Sequence, residues 1–117
     1  PGQELHRLVH GGGRQFDAQP STAAALPAIV QAVGGQAEIL VDGGVRRGSD
    51  VVTLRAMGAT ACLVGRPAAY GLAAHGREGV GAVLDLLTDE LRTALGFVGC
   101  RSLAEICPEV LASRTDA

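Results

Sequence analysis

Two short apolar runs constrain the fold of this chain more than any other part of its sequence. They are AEILV at residues 37–41 and TACLVG at residues 60–65, and turn-forming residues bound both of them. Runs that are apolar throughout are typical of strands buried on both faces, as in parallel sheets that helices cover. The sequence therefore predicts an α/β fold with two parallel strands.

A helical pattern precedes the first of these strands. Residues 21–33, STAAALPAIVQAV, predict a helix with Ser21 or Thr22 as its N-cap. Pro27 lies a few positions inside it and is expected to bend the helix or restart it. The pair of glycines that follows is expected to end the helix, since glycine is common just after the last helical turn.

Two more helical patterns follow the first strand. Residues 49–57 predict a helix with Ser49 or Asp50 as its cap. After the second strand, an apolar turn containing Tyr70 leads to an amphipathic helix at about residues 77–95, where leucine and valine recur at steps of three and four. The order helix, strand, helix, strand, helix is typical of a parallel sheet with helical cover.

The first nine residues, PGQELHRLV, do not show the apolar pattern of a further strand. Two parallel strands have two open edges and do not enclose a core by themselves. A complete (β/α)8 barrel takes about 250 residues, whereas this chain has 117. The interpretation is therefore that the chain forms part of such a barrel.

Composition excludes several classes of function. The formal charge of −2 and the pI near 5.9 provide no basic surface for nucleic acid. The three cysteines form no CxxC pair and no metal-binding spacing, which favours reduced thiols, no metal site and a cytoplasmic location. Cys62 lies in an apolar run and is expected in the core. No apolar stretch approaches the roughly 20 residues that a membrane span requires.

Both predicted strands end in glycine and arginine, in the sequences VDGGVRRG and LVGRP. The carboxyl ends of neighbouring parallel strands meet at one edge of the sheet, where barrels of this kind commonly bind phosphate. Glycine lets backbone N–H groups approach an oxyanion, and the guanidinium fork matches phosphate geometry. The candidate phosphate-binding residues are Asp42, Gly43, Gly44, Arg46, Gly65 and Arg66.

A simpler alternative exists for either loop alone. Gly43 and Gly44 could merely turn the chain, with Arg46 solvating the start of a helix, and Asp42 could be a helix or turn cap. Arg47 is expected to point elsewhere, as a surface residue. The phosphate interpretation is favoured because both strands end in the same way.

These loops and three further segments resemble the FMN-dependent 2-hydroxy acid oxidase and dehydrogenase family, which includes glycolate oxidase, lactate oxidase and L-lactate dehydrogenase. The resemblance implies that residues 11–107 are the C-terminal part of a TIM barrel, namely its last two βα units plus C-terminal helices. Residues 1–10 would be a non-matching segment and residues 108–117 a tail. The matching segments are GGRQFD (12–17), AAALPAIVQAVGG (23–35), ILVDGGVRRGSDV (39–51), MGATACLVGRPAAYGLAAHG (57–76) and GCRSLAEI (99–106).

The resemblance also implies an activity, namely oxidation of the CH–OH group of a small 2-hydroxy acid to a 2-oxo acid. In the family a histidine removes the hydroxyl proton, and hydride passes from the α-carbon to the flavin N5. Arg14, in GGRQ, would bind the substrate carboxylate, a role that suits a bidentate fork. The six candidate residues at the two strand ends would surround the phosphate and ribityl end of FMN.

Two departures from the family pattern concern catalysis. The family has S-N-H-G-G-R-Q, whereas this chain has V-H-G-G-G-R-Q, so Gly11 stands at the histidine position and His10 one place earlier. His10 could be brought back as the base by the glycine-rich loop, or it could be a solvent-facing loop histidine. The family also places a lysine beside the flavin, and this chain contains none.

These departures leave an alternative to an active oxidoreductase. The chain would then be a truncated, catalytically inactive fragment that binds FMN or phosphate, or a partner of a full-length homologue. In either case its open strand edges are expected to promote self-association or pairing with the rest of a barrel.

Overall fold

The computed structural model describes residues 6–10 and 18–112. Three strands, three α-helices and two 3-10 helices occur in these residues. Both strand pairs are parallel, and the sheet order is β1-β2-β3. In chain order the elements are β1 (His6–His10), α1 (Thr22–Val33), β2 (Glu38–Asp42), α2 (Gly48–Ala56), β3 (Ala61–Leu63), α3 (Arg66–Phe97) and the 3-10 helices Leu103–Glu105 and Pro108–Val110.

The first strand corrects the prediction that residues 1–9 contain none. β1 pairs with β2 along its whole length, from His6 beside Glu38 to His10 beside Asp42. The sequence HRLVH is polar at three of five positions, so it lacks the apolar run that marked the other two strands. Its extended conformation depends on pairing with β2, which a local pattern does not reveal. His10, considered as a loop residue, is instead the last residue of a strand.

The first helix begins and ends as predicted. The Ser21 hydroxyl oxygen accepts a hydrogen bond from Ala24 N, and Gly34 ends the helix with a left-handed φ of 57°. The prediction that the helix restarts at Pro27 is wrong, because α1 runs through it without a break. Pro27 is exposed, whereas its neighbour Leu26 is fully buried. Burial of that side chain offsets the single backbone hydrogen bond that proline removes.

The third helix is longer than predicted. The apolar turn expected around Tyr70 is helical, and α3 starts at Arg66. A kink at His75 and Gly76 divides the helix, with φ of −145° and 56° at these two residues. The segments on either side of the kink pack closely at Gly71, where a Cβ would lie 2.5 Å from the Gly79 carbonyl oxygen.

Two apolar clusters hold these elements together. The first lies between the sheet and the helices and contains Leu26, Ile39, Val41, Val45, Leu54 and Ala59. The second joins the other side of α2 to the end of α3 and the C-terminal turns, around Val52, Ala56 and Ile106.

The two faces of the sheet differ in burial. Ile39 and Val41 alternate along β2 with Leu40 and Asp42, so the two pairs lie on opposite faces. The first pair is buried in the core, whereas Leu40 and Asp42 are only half-buried. Leu63, the register partner of Asp42, is 40% exposed. Within residues 18–112, one face of the sheet is covered by helices and the other is open.

Candidate functional site

The site is built on two loops at the same edge of the sheet, each of which joins a strand to the helix that follows it. β2 ends at Asp42 and β3 at Leu63, and these two residues are partners in the parallel register. The β2–α2 junction (residues 43–47) and the β3–α3 junction (residues 64–65) therefore begin side by side. His10 ends β1 at the position beside Asp42, so all three described strands end at this edge.

The β2–α2 junction opens with a turn that requires glycine. Gly43 and Gly44 have φ of 103° and 80°, in the left-handed region that other residues rarely adopt. A Cβ at Gly43 would also lie 3.1 Å from the Thr22 hydroxyl oxygen. The buried Thr22 donates its hydroxyl hydrogen to the Asp42 carbonyl oxygen, at 3.0 Å. The start of α1 thus fixes the end of β2 and the turn that follows it.

The same junction ends in three backbone N–H groups that donate hydrogen bonds to carboxylates. Arg46 N and Arg47 N both donate to Asp50 Oδ2 at 2.9 Å. Gly48 N donates to Glu90 Oε2 at 2.8 Å. Negative groups at this position also interact favourably with the positive end of the helix dipole.

The predicted cap of α2 is corrected by these bonds. The N-cap is Arg47, and Asp50 acts from the third helical position instead of from the cap itself. Sequence reasoning missed Glu90 because it lies on another helix, 42 residues further along the chain. No local spacing signals such a contact.

At the β3–α3 junction, no carboxylate of the described residues takes the equivalent place. Gly65 is the N-cap of α3, and no side chain among the described residues accepts a hydrogen bond from the first turn. Gly65 is exposed, and no described residue lies within 4 Å of the position that a Cβ would take. The first turn offers the N–H groups of Arg66 and Ala68, since Pro67 has none, and together with the positive end of the helix they favour an anion.

The two predicted arginines belong to the two neighbouring junctions, one to each. Arg46 follows the glycine turn of the first junction, and Arg66 is the first residue of α3. Both side chains are exposed, and within residues 18–112 neither guanidinium has a hydrogen bond or ion pair. The structure thus places both at the edge where the strands end, with Gly43, Gly44 and Gly65 beside them. Arg47 is exposed, as expected of a surface residue.

The arrangement consists of donors and is suited to an anion. Two guanidinium groups, an open helix N-terminus and a glycine turn match the oxygens of a phosphate in charge and in hydrogen-bonding role. Asp42 is half-buried at the base of this edge. Arg14, predicted to bind a substrate carboxylate, lies outside the described residues.

In the described part of the chain, Cys62 is not a reactive thiol and the metal-ligating residue types form no metal site. Burial raises the pKa of the Cys62 thiol, and this side chain packs against the first apolar cluster, in accord with its predicted place in the core. A thiol with a raised pKa stays neutral and is a poor nucleophile. Among the residues described, no group of three or more His, Cys, Asp or Glu side chains could hold a metal ion. No described helix is long and apolar enough to cross a membrane.

Comparison with known proteins shows which family the chain belongs to. The sequence model of the FMN-dependent dehydrogenase family matches residues 9–113. Over 100 residues the chain is 48% identical to 2-hydroxyacid oxidase 2 of Mus musculus, a match that covers 86% of this chain and 28% of that protein. Over 95 residues it is 50% identical to L-lactate oxidase of Nostoc sp., covering 81% of this chain and 26% of that protein.

A solved structure agrees in fold. A mandelate oxidase variant with a monooxide FMN adduct is 45% identical, with a TM-score of 0.83 over 88% of this chain and 33% of that one. The chain therefore spans about a quarter to a third of the proteins it matches. These matches confirm the predicted resemblance to flavoprotein oxidoreductases with a TIM-barrel fold, whose cofactor is FMN. The chain belongs to the FMN-dependent dehydrogenase family.

Proposed function

We propose that this chain binds the phosphate of FMN and supplies the phosphate and substrate-carboxylate end of an active site that oxidises small 2-hydroxy acids. One observation carries the proposal. Arg46 and Arg66 are exposed and unpaired within the described residues, at neighbouring strand ends, beside the open N-terminus of α3. Charge-assisted hydrogen bonds of this kind contribute about 1.5–3 kcal/mol each.

Each residue has a separate part in this proposal. Gly43 and Gly44 turn the chain so that its backbone can approach the ligand, and Gly65 leaves room for the phosphate at the start of α3. Arg46 and Arg66 neutralise the phosphate charge. The bound FMN supplies the acceptor for hydride from the substrate. The chain's own residues bind and orient that cofactor.

The substrate side of the proposal rests on the family resemblance. Arg14 would bind the carboxylate of the 2-hydroxy acid, and His10 is the candidate for the base that takes the hydroxyl proton. His10 ends β1 at the same edge as the phosphate residues, a backbone position that supports this role. We also propose that the chain forms the last strands of the barrel, with residues 11–107 as its family part.

A second candidate function is FMN binding without turnover by this chain alone. The chain has no lysine, and Gly11 stands where the family pattern has histidine. The outer strands β1 and β3 each pair on one side only among the described residues, and open edges of this kind also favour pairing with the remaining strands of a barrel or self-association. In this form the chain would contribute a phosphate-binding module to a larger assembly. A cytoplasmic location remains a prediction.

The test is an FMN titration followed by flavin fluorescence, with inorganic phosphate as competitor. We expect Arg66→Ala and Arg46→Ala each to weaken FMN binding about 10- to 100-fold, the loss of one charge-assisted contact. Arg47→Ala is the matched control, an equally exposed arginine in the same loop, and should bind as the unaltered chain does. Equal binding by all four proteins would refute the phosphate assignment.

Turnover is tested separately by adding lactate, glycolate or mandelate to the FMN complex. We expect no substrate-dependent bleaching of the flavin from this chain alone. Bleaching would exclude the second candidate function and assign catalysis to the residues present here. Static light scattering of the same sample would show whether the open strand edges lead to self-association; a monodisperse monomer would argue against it.

A further inference from the structure

Glu90 makes a contact that the proposed phosphate site does not use. It lies on α3, is half-buried, and its Oε2 accepts a hydrogen bond from Gly48 N at 2.8 Å. The close approach of the two helices makes this bond possible. A Cβ on Gly48 would lie 2.1 Å from Leu91 N and 2.5 Å from the Glu90 carbonyl carbon. Glycine at position 48 therefore lets α2 start directly against α3.

Asp50 secures the preceding part of the same loop. Its Oδ2 accepts from both Arg46 N and Arg47 N, at 2.9 Å. Two carboxylates on different helices thus fix three consecutive peptide groups. Val45, which precedes these groups, and Gly48, the last of them, are both buried. Arg46 is therefore held between two anchored positions while its own side chain stays exposed.

We propose that Glu90 is a positioning residue for Arg46, an inference that rests on the proposed phosphate site. Glu90 holds the start of α2 against α3, and with Asp50 it fixes the backbone from which the Arg46 guanidinium reaches the anion. Preorganisation of this kind lowers the entropy that a flexible arginine loses on binding. Arg66 also belongs to α3 but lies before the kink at His75 and Gly76, in the segment that does not carry Glu90. We therefore expect its position not to depend on the bond between Glu90 and Gly48 N.

A double-mutant cycle on FMN and inorganic phosphate binding separates positioning from general support of the fold. We expect Glu90→Ala to weaken binding about 3- to 10-fold, the usual range for residues that are energetically coupled. In an Arg46→Ala background, Glu90→Ala should have no further effect. In an Arg66→Ala background it should keep its full effect. Equal effects in both backgrounds would overturn the proposal.

Two further variants sharpen the result. Glu90→Gln keeps an oxygen that can accept from Gly48 N and should restore most of the affinity. Glu90→Asp keeps the charge but is one methylene shorter, so it should bind as weakly as Glu90→Ala and can replace that variant if alanine prevents folding. Asp89→Ala is the matched control, since Asp89 is exposed and pairs only with Arg92 among the described residues. Failure of glutamine to rescue, or an equal loss with Asp89→Ala, would overturn the proposal.

Amide hydrogen exchange in the absence of ligand tests the contact itself. Exchange at Gly48 should accelerate in Glu90→Ala and not in Asp89→Ala, and unchanged exchange would contradict the inference. The outcomes also separate this inference from the proposed function. If the unaltered chain binds FMN and Arg66→Ala weakens it while the Glu90 cycle shows no coupling, the inference alone fails. If Arg66→Ala and Arg46→Ala have no effect on binding, the phosphate site itself fails.

Discussion

The two α/β junctions of this chain lie side by side at one edge of the sheet and treat the start of the following helix differently. At the β2–α2 junction the N–H groups of Arg46, Arg47 and Gly48 are bonded to carboxylates of the chain itself. At the β3–α3 junction the N-cap is Gly65, and no described side chain accepts from the first turn. The first junction satisfies its own donors, whereas the second presents them to solvent.

This difference indicates that the two junctions have different roles in the proposed binding site. A helix start filled by carboxylates repels a phosphate and serves to fix the loop before it. A helix start without a cap is less stable by itself and attracts an anion. We infer that α2 orients Arg46, and that α3 provides backbone donors together with Arg66.

The largest effect is expected from adding one methyl group at the β2–α2 junction, where α2 packs directly against α3 (the packed junction). Gly48→Ala places a Cβ 2.1 Å from the Leu91 backbone nitrogen, so two helices must move apart. We expect the free energy of unfolding to fall by about 3 kcal/mol, the upper part of the range for overpacking. Urea denaturation followed by circular dichroism measures it.

Gly65→Ala is the control for this change, at the β3–α3 junction (the open junction). Of the residues that the structure describes, none lies within 4 Å of its Cβ position, and its φ of −100° is not in the left-handed region. The free energy of unfolding should change by less than about 1 kcal/mol. Similar losses in the two variants would mean that the junctions do not differ in packing, and the comparison would then be wrong.

The packed junction also shows where sequence reasoning ends. The helices except the first segment of α3, the two apolar strands and the candidate phosphate residues follow from local patterns: branched apolar runs, glycine after a helix, and arginine after a strand. Glu90 and Thr22 contact residues 42 and 20 positions away, so no local spacing identifies them. β1 was missed for a related reason, since HRLVH becomes a strand only by pairing with β2.

The next effect concerns charge at the open junction. Gly65→Asp puts a carboxylate at the start of α3 and makes this junction resemble the β2–α2 junction. We expect phosphate and FMN affinity to fall about tenfold or more, because like charges placed together cost roughly 1.4 kcal/mol or more. Isothermal titration against Gly65→Asn, a neutral side chain of the same shape, isolates the charge. Equal affinities of the two variants would place the anion elsewhere.

A smaller effect is expected where α1 supports the end of β2. Thr22→Val removes the hydroxyl hydrogen bond to the Asp42 carbonyl oxygen and leaves that oxygen without this donor. The expected loss is about 1 kcal/mol in the free energy of unfolding, the usual net contribution of one such bond. The control is Thr53→Val, because the exposed Thr53 hydroxyl bonds only to the Ser49 carbonyl oxygen within its own helix. Its loss should stay within about 0.5 kcal/mol. A Thr22→Val variant as stable as Thr53→Val would show that α1 does not secure the junction.

The smallest effect concerns the pH dependence of stability that Cys62, on the helix-covered face of the sheet, is expected to cause. Burial raises the pKa of Cys62 above its ordinary value of 9.0. Folding therefore favours the neutral thiol, and the stability that this contributes is complete below pH 9.0 and is lost as the pH rises through the higher pKa of the folded chain. Denaturation at pH 8 and at pH 10 should show a larger loss of stability in the unaltered chain than in Cys62→Ala, with Cys100→Ala as the half-buried control in the second cluster.

Because Cys62 lies on the helix-covered face of β3 beside Val41, Cys62→Ala and Cys100→Ala should bind FMN with the same affinity at pH 8. A Cys62→Ala variant with weakened FMN binding would show that the core beneath β3 and the open junction above it are coupled, and the two junctions could then no longer be treated as separate parts.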